Sequence, residues 1–121
     1  MDRSTDDAAE TGLTPVTDGA ALDAVFAQPG TAVLFLHDPY CPISARANAE
    51  MGRAGVAAWS VDVSRFRALT RRIAAETGVR HESPQVIVLV GGRPAWSASH
   101  GAIGADAVRL AVERAGENAR S

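Results

Sequence analysis

The sequence predicts an α/β domain in which a central mixed four-stranded sheet is flanked by helices. Short apolar runs of strand length alternate with segments whose apolar residues recur every three or four positions. A Gly-Gly step separates two neighbouring runs, and the single cysteine stands where a strand gives way to a helix. A chain of 121 residues, 46% of them hydrophobic, is long enough for one compact domain and too short for two. The formal net charge of -2 is spread over both halves, so there is no basic stripe for phosphates and nucleic acid is not an expected partner. The longest apolar stretches, such as Val86 to Val90, fall far short of the ~20 residues of a bilayer span, so no membrane is expected either. Asp2, Asp6, Asp7 and Glu10 near the start are the opposite of a secretory signal, which makes the cytoplasm the expected location.

Residues 1–15 mix Asp, Ser, Thr, Gly and Ala without periodicity, and the reading is a disordered N-terminal tail. The domain is expected over 16–116, with 117–121 as a frayed C-terminal tail. Leu22, Val25 and Phe26 share one helical face between Asp18 and Gln28, and Pro29-Gly30 supplies the stop. Thr31 to Leu36 is a nearly continuous apolar run, the pattern of a strand buried on both faces. Pro42 suits the first helical position, which makes Cys41 an N-cap. Ile43, Ala47 and Met51 follow on one expected face until Gly52 and Gly55. Val56 to Val63 reads as a strand, and Ser64 to Thr77 as a helix with Phe66, Leu69 and Ile73 on one face and Gly78 as its stop. Gln85 to Val90 is a strand, Gly91-Gly92 a two-residue turn of the antiparallel kind, and Pro94 to Ser99 the returning strand. Val108, Ala111, Val112 and Ala115 give the last helix its apolar face. Trp59 and Trp96 read as core or sheet-face residues.

This order, with a cysteine at the junction of the first strand and its helix, is that of a thioredoxin-like fold. Proteins of that fold place a cis proline before the third strand, opposite the active thiol, and the run His81-Glu82-Ser83-Pro84-Gln85 makes Pro84 the candidate. The segments CPIS (Cys41 to Ser44), GVRHESPQV (Gly78 to Val86) and WSASHG (Trp96 to Gly101) closely resemble the monothiol bacilliredoxins, the BrxC or YtxJ type, over roughly Thr31 to Gly104. The resemblance implies a thiol-disulfide oxidoreductase that removes bacillithiol from S-thiolated client proteins, with Cys41 as the nucleophile and Ser44 in the place of a second cysteine. It implies no bound cofactor, with bacillithiol or another low-molecular-weight thiol as co-substrate.

The chemistry follows from the residues as well. Composition alone favours a lone cysteine that is packed and inert, but the N-cap setting together with Pro84 reverses that. A helix start presents unpaired N–H groups, here of Ile43 and Ser44, toward the Cys41 sulfur and favours its thiolate. Ser44 reads either as a donor to that sulfur or as a first-turn serine facing water. Pro42, Ile43, Ser44, Ser83 and Pro84 are the expected thiolate support and substrate groove, and Tyr40, His81 and Glu82 are further candidates. His37 reads as a source of positive potential near Cys41 or as a backbone-bonded histidine. His37, His81 and His100 lack short-range ligand spacing, so no metal is expected. Two other functions fit the same fold: a peptide-binding module without turnover, and a glutaredoxin-like iron–sulfur carrier.

Overall fold

Asp18 starts the first helix, its carboxylate accepting the Ala21 N–H at 2.8 Å in place of an intrahelical partner. Similar local causes set the remaining elements of the computed structural model, which describes residues 12–120. In chain order these are β1 (Leu13–Pro15), α1 (Gly19–Phe26), β2 (Thr31–His37), α2 (Pro42–Ala54), β3 (Ala58–Asp62), α3 (Arg67–Thr77), β4 (Gln85–Val90), β5 (Arg93–Ser99) and α4 (Ala105–Arg120), with a 3-10 turn, His100–Ala102, before α4. Gly91 and Gly92 both lie at positive φ, as the tight hairpin between β4 and β5 requires.

The strands form one mixed sheet in the order β1-β3-β2-β4-β5, with β1, β3 and β2 parallel and β4 and β5 antiparallel to their neighbours. Side-chain alternation along β2 and β4 divides the core between the two faces. Val33, Phe35, Val86 and Val88 pack with Ala47 and Met51 of α2 and Val108 and Ala111 of α4. Leu34, Leu36, Ile87 and Leu89 pack with Leu22 and Val25 of α1 and Ile73 of α3. Trp59 and Trp96 are partly buried against the two clusters, in keeping with sheet-face positions.

Four expectations are corrected. The sheet has five strands, not four, because Leu13, Thr14 and Pro15 pair in parallel with Ala58, Trp59 and Ser60. The ordered domain therefore begins before residue 16: the Gly12 carbonyl accepts the Ala58 N–H, and the buried Val16 donates to the Ser60 carbonyl. Three residues with no alternation carry no strand signal of their own, and β3 supplies the pairing. The rest of the expected tail, residues 1–11, lies outside the described residues. At the other end, α4 runs to Arg120, so 117–120 is helix rather than frayed chain, each added residue extending a ladder already nucleated. Finally, α3 starts at Arg67 rather than Ser64, because the Asp62 carboxylate takes both the Ser64 N–H (2.9 Å) and its hydroxyl (2.6 Å), and this turn competes with helix.

Candidate functional site

Cys41 is the N-cap of α2, with extended backbone (φ -104°, ψ 126°) and Pro42 at the first helical position. Its N–H donates to the Asp38 carbonyl at 3.0 Å and its carbonyl accepts the Ala45 N–H at 3.1 Å, so both backbone groups are fixed. The thiol is free and half-buried and makes no capping hydrogen bond. The Ile43 and Ser44 amides are thus not direct donors to the sulfur.

The residues around Cys41 depart from two sequence readings. The sequence sets Ile43 on the core face with Ala47 and Met51, but it is 51% exposed; the buried face of α2 is Ser44, Ala47, Met51 and Ala54. Spacing of three and four from Ser44 defines that face, and a polar residue at its head hides the pattern. Tyr40 is 84% exposed, so two of the three large exposed hydrophobic residues among those described flank the cysteine. Ser44 takes neither expected role. It is 2% exposed, and its Oγ accepts the Asp38 N–H at 3.0 Å, closing the turn that delivers Cys41 to the helix. The Asp38 carboxylate in turn accepts the Tyr40 N–H at 2.9 Å.

The Ser83–Pro84 peptide is cis, as the sequence leads one to expect. Pro84 is buried and precedes Gln85, which pairs with Leu36 of β2 on one side and Ser99 of β5 on the other. Cys41 lies five residues beyond Leu36, so the cysteine turn and the proline loop leave the sheet at the same edge. The Pro84 carbonyl accepts the His100 N–H at 3.0 Å. Glu82, rather than standing in a solvated pair with His81, is bound: its carboxylate accepts the Ser99 hydroxyl at 2.7 Å and lies 3.2 Å from His100 Nδ1. His81 is exposed and lines a cavity beside α3. Ser83 Oγ is buried without a hydrogen-bond partner.

A family model for the monothiol bacilliredoxin BrxC matches residues 14–108, which include the cysteine turn, α2 and the cis-proline loop. The chain belongs to the monothiol bacilliredoxin family. Solved structures agree on the fold. One thioredoxin-fold protein, provisionally classed as an oxidoreductase, is 26% identical with a TM-score of 0.76, over 86% of this chain and 96% of that one. A single-site mutant of thioredoxin from Halobacterium salinarum is 18% identical with a TM-score of 0.64, over 89% and 94%. The oxidised thioredoxin of Plasmodium falciparum is 14% identical with a TM-score of 0.65, over 86% and 98%. Family and fold together place this bacilliredoxin among thiol oxidoreductases.

Beneath the cysteine turn of this bacilliredoxin, His37 stacks on Phe35 with ring centroids 5.2 Å apart and lines a cavity of about 240 Å³ with Pro39, Ser44, Ala45 and Asn48. Burial lowers its pKa below the ordinary histidine value, outweighing the opposing charges of Asp62 and Asp38. Burial thus works against the protonated form of His37 and against its reading as a source of positive potential near Cys41. Among the described residues, no three His, Cys, Asp or Glu side chains come together as a metal site, and no helix is long and apolar enough to cross a membrane.

Gln85 is absent from the sequence candidates. Its buried amide donates to the Arg80 carbonyl at 2.8 Å and its Oε1 accepts the Glu82 N–H at 3.3 Å, holding the proline loop from within. A buried amide at the head of an otherwise apolar strand is the available signal.

Proposed function

We propose that the chain is a monothiol thiol-disulfide oxidoreductase that removes bacillithiol, or a similar low-molecular-weight thiol, from protein mixed disulfides through Cys41. The observation that carries this reading is the placement of an N-capping cysteine and a cis proline at one sheet edge, with a buried serine where a second thiol would otherwise stand. Exposed Tyr40 and Ile43 offer the client an apolar lip on either side of the sulfur.

Exchange then proceeds in two balanced steps. The Cys41 sulfur, as thiolate at the start of the 13-residue helix α2, attacks the small-thiol sulfur of the mixed disulfide. A new S–S bond forms on Cys41 as the old one breaks, and the client cysteine leaves as a thiolate that takes a proton from solvent. No electrons are gained or lost overall; the disulfide has moved. In the second step another small thiol attacks the adduct, releasing a small-molecule disulfide and Cys41. Ser44 cannot take that thiol's place, because a hydroxyl has no exchange chemistry and this one is committed to the Asp38 amide. A reducing compartment such as the cytoplasm suits a client population repaired in this way.

The reading is tested by counting turnovers on a bacillithiol-modified client. Without added thiol, one client should be released per chain and the reaction should then stop; adding free bacillithiol should restart it. Release by a Cys41→Ala variant at the wild-type rate would contradict the reading, as would continued turnover without any reductant.

A further inference from the structure

On the α3 side of the sheet, a cavity of about 270 Å³ is lined by Val63, Arg67, Thr70, Arg71 and His81. Arg67 and Arg71 are four residues apart on α3, so both guanidinium groups rise from one face of the helix. Both are exposed, and neither is in an ion pair among the described residues, whereas Arg53, Arg72 and Arg109 each hold a carboxylate. The neighbouring acids are engaged elsewhere: Asp62 with Ser64, and Glu82 with Ser99 and His100. The Thr70 hydroxyl is satisfied by the Phe66 carbonyl at 3.0 Å, which leaves Val63 and the Thr70 methyl as an apolar floor beneath a basic rim. Other arginines among the described residues, Arg65, Arg80, Arg93 and Arg114, also lack an ion pair, but Arg67 and Arg71 are the two that line one cavity together.

Its place in the fold connects it to the exchange site. The Val63 N–H donates to the His37 carbonyl at 2.9 Å, at the end of the strand that leads into Cys41. His81 lies three residues before the cis Pro84. The cavity therefore opens at the sheet edge that carries both the cysteine turn and the proline loop.

We propose that this cavity is a subsite for the carboxylate-bearing part of the small thiol that Cys41 exchanges, a proposal that rests on the exchange reading above. Paired guanidinium forks suit carboxylates, which they can bind through two parallel N–H donors each. The volume suits a group of small-molecule size, whereas an acidic protein segment calls for an extended basic face. Binding the small thiol here would keep its sulfur at the end of the sheet that carries Cys41 and leave the bonds made and broken as described.

The test uses one client protein carrying either a mercaptosuccinate adduct, with two carboxylates, or a 2-mercaptoethanol adduct, with none. In an Arg67→Gln/Arg71→Gln variant, KM for the mercaptosuccinate adduct should rise about tenfold or more, since charged hydrogen bonds are each worth roughly a tenfold change in affinity. The kcat, and both constants for the neutral adduct, should stay within about twofold of wild type. An equal effect on both adducts, or none on either, overturns the proposal. So does a loss that follows acidic residues on the client whichever adduct it carries. A second arm needs no exchange: succinate should shift the backbone amide resonances of residues 67 and 71 saturably in the wild-type chain and not in the variant, and no shift in the wild type overturns the subsite. A wild-type chain that binds succinate but moves neither adduct would instead break the exchange reading.

Discussion

Two serines at the site separate by sign at the residue scale. Ser44→Ala leaves the Asp38 N–H without its partner and should cost about 1–2 kcal/mol by urea denaturation. Ser83→Ala removes a buried hydroxyl that has no partner, so stability should hold or rise by up to about 1 kcal/mol in the same measurement. His37 adds a pH dependence. Its pKa is lower in the folded chain than the ordinary value of about 6.5 in the unfolded one, so only the unfolded state takes up this proton just below pH 6.5. Its contribution is complete above that pH and is lost as pH falls through the folded value. The denaturation midpoint of the wild type should therefore fall more between pH 7.5 and 5.5 than that of His37→Gln. Cys41 and Pro84 can be located from sequence because each is marked by its immediate neighbours, Pro42 and the strand onset. The roles of Ser44 and Ile43 cannot, because which face of α2 is buried depends on the sheet behind it. Arg67 and Arg71 are invisible for a similar reason: only the fold sets them beside His81.

At the element scale, the hairpin and the helix that carries the cysteine are held by different constraints on glycine. A Cβ at Gly92 would stand 2.5 Å from the Phe26 carbonyl oxygen, and the residue has φ +79°, so Gly92→Ala meets both a backbone clash and a left-handed conformation. At Gly55, which ends α2 with φ +67°, no atom lies within 4 Å of the added carbon, and the left-handed conformation is the sole penalty. Gly55→Ala should cost about 1–2 kcal/mol, and Gly92→Ala clearly more, in thermal or urea unfolding. Sequence reading places both glycines at the ends of elements because their punctuation is local. The same method misses β1 and starts α3 early. A three-residue strand exists through its parallel partner, and the three-residue delay of α3 reflects one Asp62 side chain.

On the scale of the whole molecule, sheet order turns separate sequence motifs into a site. With β4 between β2 and β5, the cysteine turn, the cis-proline loop and the Ser99–His100 turn emerge side by side, and the Glu82 contacts tie the last two together. Helices α2 and α4 share one hydrophobic cluster with β2, which fixes the start of α2 relative to the strand that precedes it. The alternation of elements and the family resemblance are enough to anticipate this architecture, and the comparison over residues 14–108 bears out the family. The central claim is that a disulfide passes to Cys41 and remains there as a small-thiol adduct. Intact mass spectrometry of an equimolar mixture with a bacillithiol-modified client tests it most directly. The account predicts a client that loses one bacillithiol, a chain that gains it, and a modified peptide that contains Cys41; a client that keeps its adduct would contradict it.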